Sequence, residues 1–122
     1  MWKYYNGNPS NRQVNDCVIR SISLAENRSW DEVYEELSKL AQLRRTMLDD
    51  VGFVDMYLND KYKHIICRCK LDCETVREFA QSNPIGIFLV TMKGHITCII
   101  DGVIHDTWDC GDKRIWGIWE VV

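Results

Sequence analysis

Residues that can form a thiol-based reactive site occur in two distant segments of the chain. Cys17 lies within Val14–Ser23, where a polar loop passes into apolar residues with helical spacing, directly after Asn15 and Asp16. A thiol in the first turn of a helix faces unpaired backbone N–H groups and the positive end of the helix dipole, and both favour the thiolate. A cysteine nucleophile also needs a base that accepts its proton and a third group that orients the base.

His95 and Asp106 are the candidates for the base and the orienting group. The dipeptide Asp101–Gly102 is a strong signal for a two-residue turn between antiparallel strands. Pairing through this turn puts His95 opposite Trp108, with Asp106 two positions along on the same face. The sequence therefore predicts an imidazole and a carboxylate within reach of each other at one end of a hairpin. His105 falls on the opposite face.

The size and charge of the chain exclude several classes of protein. Its 122 residues are enough for one domain, 1–122, and 46% hydrophobic with 27% charged residues is typical of a globular protein. The net charge of −3 gives no basic surface for nucleic acid. No apolar run approaches the roughly 18 residues of a membrane helix. The N-terminal residues have no apolar signal-peptide core, so we expect a cytoplasmic protein whose six cysteines are reduced.

The elements that must position these residues follow an α+β order. Two capping boxes, at Ser29 and Thr75, mark helix starts. Helices are predicted first and β-rich segments last, which indicates N-terminal helices packed on a C-terminal antiparallel sheet. The predicted strands of the first two-thirds are Trp2–Tyr5 and His64–Arg68. The predicted helices are Asp16–Ala25, from Ser29 to near Leu43, Asp49–Asp60, and from Thr75 to about Gln81. Three paired strands from Gly86 onward and a last strand in Arg114–Val122 complete the prediction.

Two segments resemble the papain-like cysteine peptidases. The stretch NDCVIRSIS opens a helix, and GHITCIIDGVIHDTWD lies near the C-terminus. Asp106-Thr107-Trp108 is similar to the Asn-Ser-Trp pattern of that superfold. The cysteine segment is also similar to that of the ovarian-tumour-type deubiquitinases. Most of the chain resembles small papain-fold proteins of bacteriophages and prophages.

The resemblance implies a thiol-dependent hydrolase, either a peptidase, an isopeptidase or an amidase, acting on a protein or peptide without a cofactor. Cys17 would be the nucleophile, His95 the general base and then acid, and Asp106 the orienting group, with Asp109 as a second possible acid. Trp108 would shield the His–Asp pair from water.

The resemblance defines the hydrogen-bond donors of the oxyanion hole less completely than it defines the three catalytic residues. The backbone N–H of Cys17 would be one donor. Papain-like enzymes often have a glutamine six residues before the cysteine, where this chain has Asn11. Gln13 has the right side chain at a shorter spacing, and the backbone amide of Asp16 is a further candidate.

Three alternatives remain open at the level of the sequence. The chain could be a papain fold without activity, used as a binding or inhibitor module, for example one encoded by a phage. His64 with Cys67, Cys69 and Cys73 could hold zinc, although the spacing of Cys67 and Cys69 is tighter than usual. Arg20 either anchors an acidic group near the site or belongs to a solvated face. Cys98 is predicted to be a small buried hydrophobic residue.

Overall fold

The structure is a computed structural model that describes residues 1–65 and 75–122, with four helices and six strands in that part of the chain. This mixture confirms the predicted α+β class. The helices are α1 (Cys17–Glu26), α2 (Trp30–Leu43), α3 (Val51–Lys61) and α4 (Val76–Ser82). The strands are β1 (Trp2–Tyr4), β2 (Lys63–Ile65), β3 (Ile87–Met92), β4 (His95–Ile100), β5 (Val103–Asp106) and β6 (Gly117–Val121).

The six strands form one sheet in the order β1-β5-β4-β3-β6-β2. Strands β3, β4 and β5 form the predicted antiparallel series, and Ile100 pairs with Val103 across the Asp101–Gly102 turn as expected. The expectation of a purely C-terminal antiparallel sheet is wrong in two respects. Strand β1 pairs in parallel with β5, and β2 adds the opposite edge by pairing with β6. Both edge strands therefore come from the first two-thirds of the chain, and they extend the sheet that the C-terminal strands form.

The sheet has helices on both faces. Along β3, Leu89 packs in a core with α1, α2 and α3, whereas its neighbours Phe88 and Val90 pack with α4. Alternate residues of a strand point to opposite faces, so α4 covers the face that the other three helices leave free. The sheet is consequently the central layer of the fold.

The predicted helix starts are confirmed where a capping box marks them. Ser29 and Glu32 exchange side-chain to backbone hydrogen bonds at α2, and Thr75 and Glu78 do the same at α4.

Within the described residues, no helix has the length and apolar character needed to cross a membrane.

The predicted zinc alternative lies largely outside the described residues. His64 belongs to β2 and stacks on Trp119, with ring centroids 4.9 Å apart. Cys67, Cys69 and Cys73, and the second half of the predicted His64–Arg68 strand, lie in the segment 66–74.

Candidate active site

Cys17, His95 and Asp106 come together where α1 meets one end of the β4–β5 hairpin. Cys17 is the first residue of α1, His95 the first of β4 and Asp106 the last of β5. Helix α1 packs on β4, and the buried Ser21 hydroxyl donates a 3.1 Å hydrogen bond to the carbonyl of Ile96. Cys17 lies one turn before Ser21 on the same side of the helix, so it is held beside His95.

The imidazole of His95 is hydrogen bonded to the carboxylate of Asp106. The distance from Nε2 to Oδ2 is 2.6 Å. Burial by itself lowers the pKa of His95. Hydrogen bonds with Asp106, and then with Cys110 and Cys17, outweigh burial and raise this pKa to about 11. The imidazole is therefore cationic at neutral pH, and Nδ1 is the ring nitrogen left free by Asp106.

Asp106 is ionised in an almost fully enclosed position, with 2% of its surface exposed. Its Oδ1 accepts the backbone N–H of Thr107 at 2.7 Å and lies 3.3 Å from the guanidinium of Arg20. Burial raises the pKa of this carboxyl, but the hydrogen bond and positive charge of His95 bring the pKa below its ordinary value. These partners fix the carboxylate in the orientation that holds the imidazole.

Arg20 joins the start of α1 to this carboxylate. Its guanidinium is 5% exposed and pairs with Asp16 as well as with Asp106. Of the two interpretations that the sequence left open, the structure supports the anchor. Asp16 also accepts hydrogen bonds from Trp30 Nε1 at 3.0 Å and from Asn8 at 3.3 Å. Asp16 is the N-cap of α1, yet its side chain makes no capping bond because these partners engage it.

The site opens into a cleft of about 660 Å³ whose lining includes Cys17, His95 and Trp108. The Trp108 ring is tilted by 48° against His95, with centroids 4.9 Å apart, and it lies on the solvent side with 39% exposure. The Trp108 ring therefore covers part of the imidazole. Asp109 makes an ion pair with Arg77 at 3.2 Å, so Asp106 and not Asp109 is the acid beside His95.

The three candidate oxyanion donors have different positions. Gln13 lines the cleft, whereas Asn11 is exposed and is not among the lining residues. The backbone N–H of Asp16 donates to the carbonyl of Val14 at 2.8 Å. A role for the Asp16 amide in the oxyanion hole would require that bond to be released. Gln13 is the candidate side chain that already faces the cleft.

Sequence reasoning missed Cys110, whose thiol is fully buried beside the His–Asp pair. Its Sγ donates to Asp106 Oδ2 at 3.7 Å. The donor atoms of Cys110, His95 and Asp106 lie within 4.8 Å of one another. Arg20 and the protonated His95 already compensate the charge of this carboxylate and disfavour a further cation there, so we interpret this group as a hydrogen-bonded cluster. The only sequence signal was the short distance of Cys110 from Asp106 along the chain.

Comparison of the chain with protein-family models, with curated proteins and with solved structures gave no match.

The shifted pKa values of His95 and Asp106 predict how stability depends on pH. Because folding raises the pKa of His95, protonated His95 stabilises the folded state. This stabilisation is complete below the unfolded-state pKa of about 6.5 and is lost as the pH rises toward about 11. Because folding lowers the pKa of Asp106, the ionised carboxylate stabilises the folded state. This stabilisation is present above about pH 3.9 and is lost at lower pH. Between pH 7 and pH 9 we expect the free energy of unfolding to fall by up to about 1.4 kcal/mol per pH unit.

Urea unfolding of Cys17→Ser and of Cys17→Ser/His95→Gln measures this slope in two proteins that differ only at His95. The difference between the two proteins should shrink as the pH rises from 7 to 9. A constant difference would show that His95 is not charged in the folded state.

Proposed function

We propose that the protein is a papain-like thiol hydrolase that cleaves amide bonds in proteins or peptides. The observation that carries the proposal is that His95, held by Asp106 at 2.6 Å, lines the same open cleft as Cys17, the first residue of α1. A thiol, an imidazole and a carboxylate in this relation are the minimum that thiol-based acyl transfer requires. The resemblance of both segments to papain-like peptidases supports the same reaction.

The reaction would begin from a Cys17 thiolate paired with the His95 imidazolium. The sulfur attacks the substrate carbonyl carbon, and the carbonyl electron pair moves onto oxygen. The Cys17 backbone N–H, at the open start of α1, and the Gln13 amide would stabilise this oxyanion. His95 gives its proton to the leaving amine as the C–N bond breaks, and an acyl-thioester with Cys17 remains.

Water completes the cycle at the same residues. His95, now neutral, takes a proton from water as the water oxygen attacks the thioester carbonyl. The C–S bond then breaks, the carboxylic acid product leaves and the thiolate–imidazolium pair is restored. Asp106 stays ionised throughout and keeps the imidazole aligned, because Arg20 and Thr107 hold its other oxygen.

Cleavage of a peptide mixture by the wild-type protein tests the proposal. A proteome-derived peptide pool with blocked amines is incubated with wild type, Cys17→Ala or His95→Ala, and new N-termini are identified by mass spectrometry. New termini should arise with wild type alone. The same termini with Cys17→Ala, or none with any protein, would overturn the proposal.

A further inference from the structure

One wall of the cleft is a single face of α3. Val51, Asp55 and Asn59 recur at intervals of four residues, and Val54 lies beside them. Residues at this spacing lie one above another on a helix surface. Val51 is more than half exposed, so this apolar side chain is in contact with solvent inside the cleft.

Two exposed tryptophans also line the cleft. Trp116 is 60% exposed and Trp108 is 39% exposed. The backbone N–H of Trp116 donates to the carbonyl of Thr91 at 2.8 Å, so its main chain is fixed to the end of β3. Lys113 Nζ already lies over the Trp108 ring, 6.0 Å from its centroid, so Trp116 is the exposed ring in the cleft that is suited to an apolar or cationic group of a ligand.

Among the described residues that line the cleft, the charged groups without an ion-pair partner are carboxylates. Asp49 and Asp55 line the cleft, and within the described part of the chain neither carboxylate has an ion-pair partner. Arg20 is the one lysine or arginine among the described lining residues, and Asp16 and Asp106 already neutralise it.

From this charge complementarity we infer that the cleft binds a peptide segment carrying a lysine or arginine side chain close to the carbonyl that Cys17 attacks. The ammonium or guanidinium group would lie against the Trp116 ring and near Asp49 and Asp55. The apolar stem of the same side chain, or an apolar neighbour, would cover Val51. This inference rests on the proposed function and specifies its substrate class.

Binding to the Cys17→Ala protein tests the inference without turnover. The probes are three dye-labelled peptide pools, identical except for one fixed central residue, which is lysine, glutamine or glutamate. Fluorescence anisotropy should show about five-fold tighter binding of the lysine pool than of the glutamine pool, with the glutamate pool weakest.

Two double variants in the Cys17→Ala protein separate a local effect from net charge. Asp49→Asn/Asp55→Asn should reduce the preference for lysine to less than about two-fold. Asp31→Asn/Asp60→Asn removes the same charge from exposed positions that do not line the cleft, and it should leave the preference unchanged. Equal binding of the three pools, or a preference that Asp49→Asn/Asp55→Asn retains, would overturn the inference.

Turnover is measured separately with wild type, so the two proposals can fail independently. Equal cleavage of the lysine and glutamine pools would keep the hydrolase and reject the preference. Selective binding by the Cys17→Ala protein without cleavage by wild type would keep the preference and reject the hydrolase.

Discussion

Replacement of His95 by alanine is expected to slow alkylation of Cys17 by iodoacetamide about 100-fold at pH 6. A free thiol with a pKa of about 8.5 is only about 0.3% ionised at this pH, and only the thiolate reacts. The proposed reaction requires Cys17, the first residue of α1 and a neighbour of His95 in the cleft, to react as a thiolate. Removal of the imidazole should return the thiol to the reactivity of an ordinary cysteine. Mass spectrometry of the peptide containing Cys17 gives the rate directly.

The matched control is His105→Ala. His105 lies in the neighbouring strand β5 and packs edge-on against Tyr5, with ring centroids 6.4 Å apart. Its removal should leave the rate at Cys17 unchanged. Cys98 provides an internal reference, because burial raises the pKa of its thiol to about 12 and the residue is fully enclosed. Equal rates at Cys17 in wild type and His95→Ala would remove the main support for the proposed hydrolase.

The contact between His95 and Asp106 could be predicted because a local signal fixes the hairpin. Asp101 and Gly102 both adopt positive φ, 49° and 78°, as the two-residue turn favoured by Asp-Gly requires. The turn sets the register of β4 and β5, and the register sets which residues meet at the far end. The confirmed capping boxes are local in the same sense, since four adjacent residues determine each helix start. Cys98 was likewise predicted correctly as a buried thiol, from the apolar residues around it.

The edges of the sheet could not be predicted in this way. Strand β1 has three exposed residues, and its pairing with β5 connects positions about a hundred residues apart. Likewise β6 lies between β3 and β2, and this position depends on pairing between strands that are distant in the sequence.

The partners of Asp16 show the same limit within the site. The sequence predicts the start of α1 at Asn15 or Asp16, and the structure has Asp16 as the N-cap, where an aspartate ordinarily caps the helix with its side chain. The carboxylate is instead bound by Trp30, fourteen residues away, and by Arg20. A capping pattern gives the position of a helix start, but it does not reveal tertiary partners that compete for the capping side chain.

The buried ion pairs of Arg20 lead to the second large effect that we expect. Arg20→Met should reduce the free energy of unfolding by about 3–5 kcal/mol, because Asp16 would stay buried without a cation and Asp106 would keep only His95. Arg20→Lys keeps the charge, but a single ammonium cannot reproduce the two separate contacts that the guanidinium makes. The lysine variant should therefore fold, yet hold Asp106 less firmly. Urea unfolding measures the first effect, and the alkylation rate of Cys17 at pH 6 measures the second.

Arg28→Met is the matched control, because Arg28 also bridges two carboxylates, those of Glu26 and Glu36, but on a more exposed surface. Its loss should cost only about 1 kcal/mol. The double variant Arg20→Met/Asp16→Asn tests the cause, since neutralising the Asp16 carboxylate that has lost its cation should recover part of the lost stability. If Arg20→Met and Arg28→Met cost the same, the Arg20 network contributes no more than a surface pair. In that case Thr107, His95 and Cys110 would be enough to hold Asp106 in position.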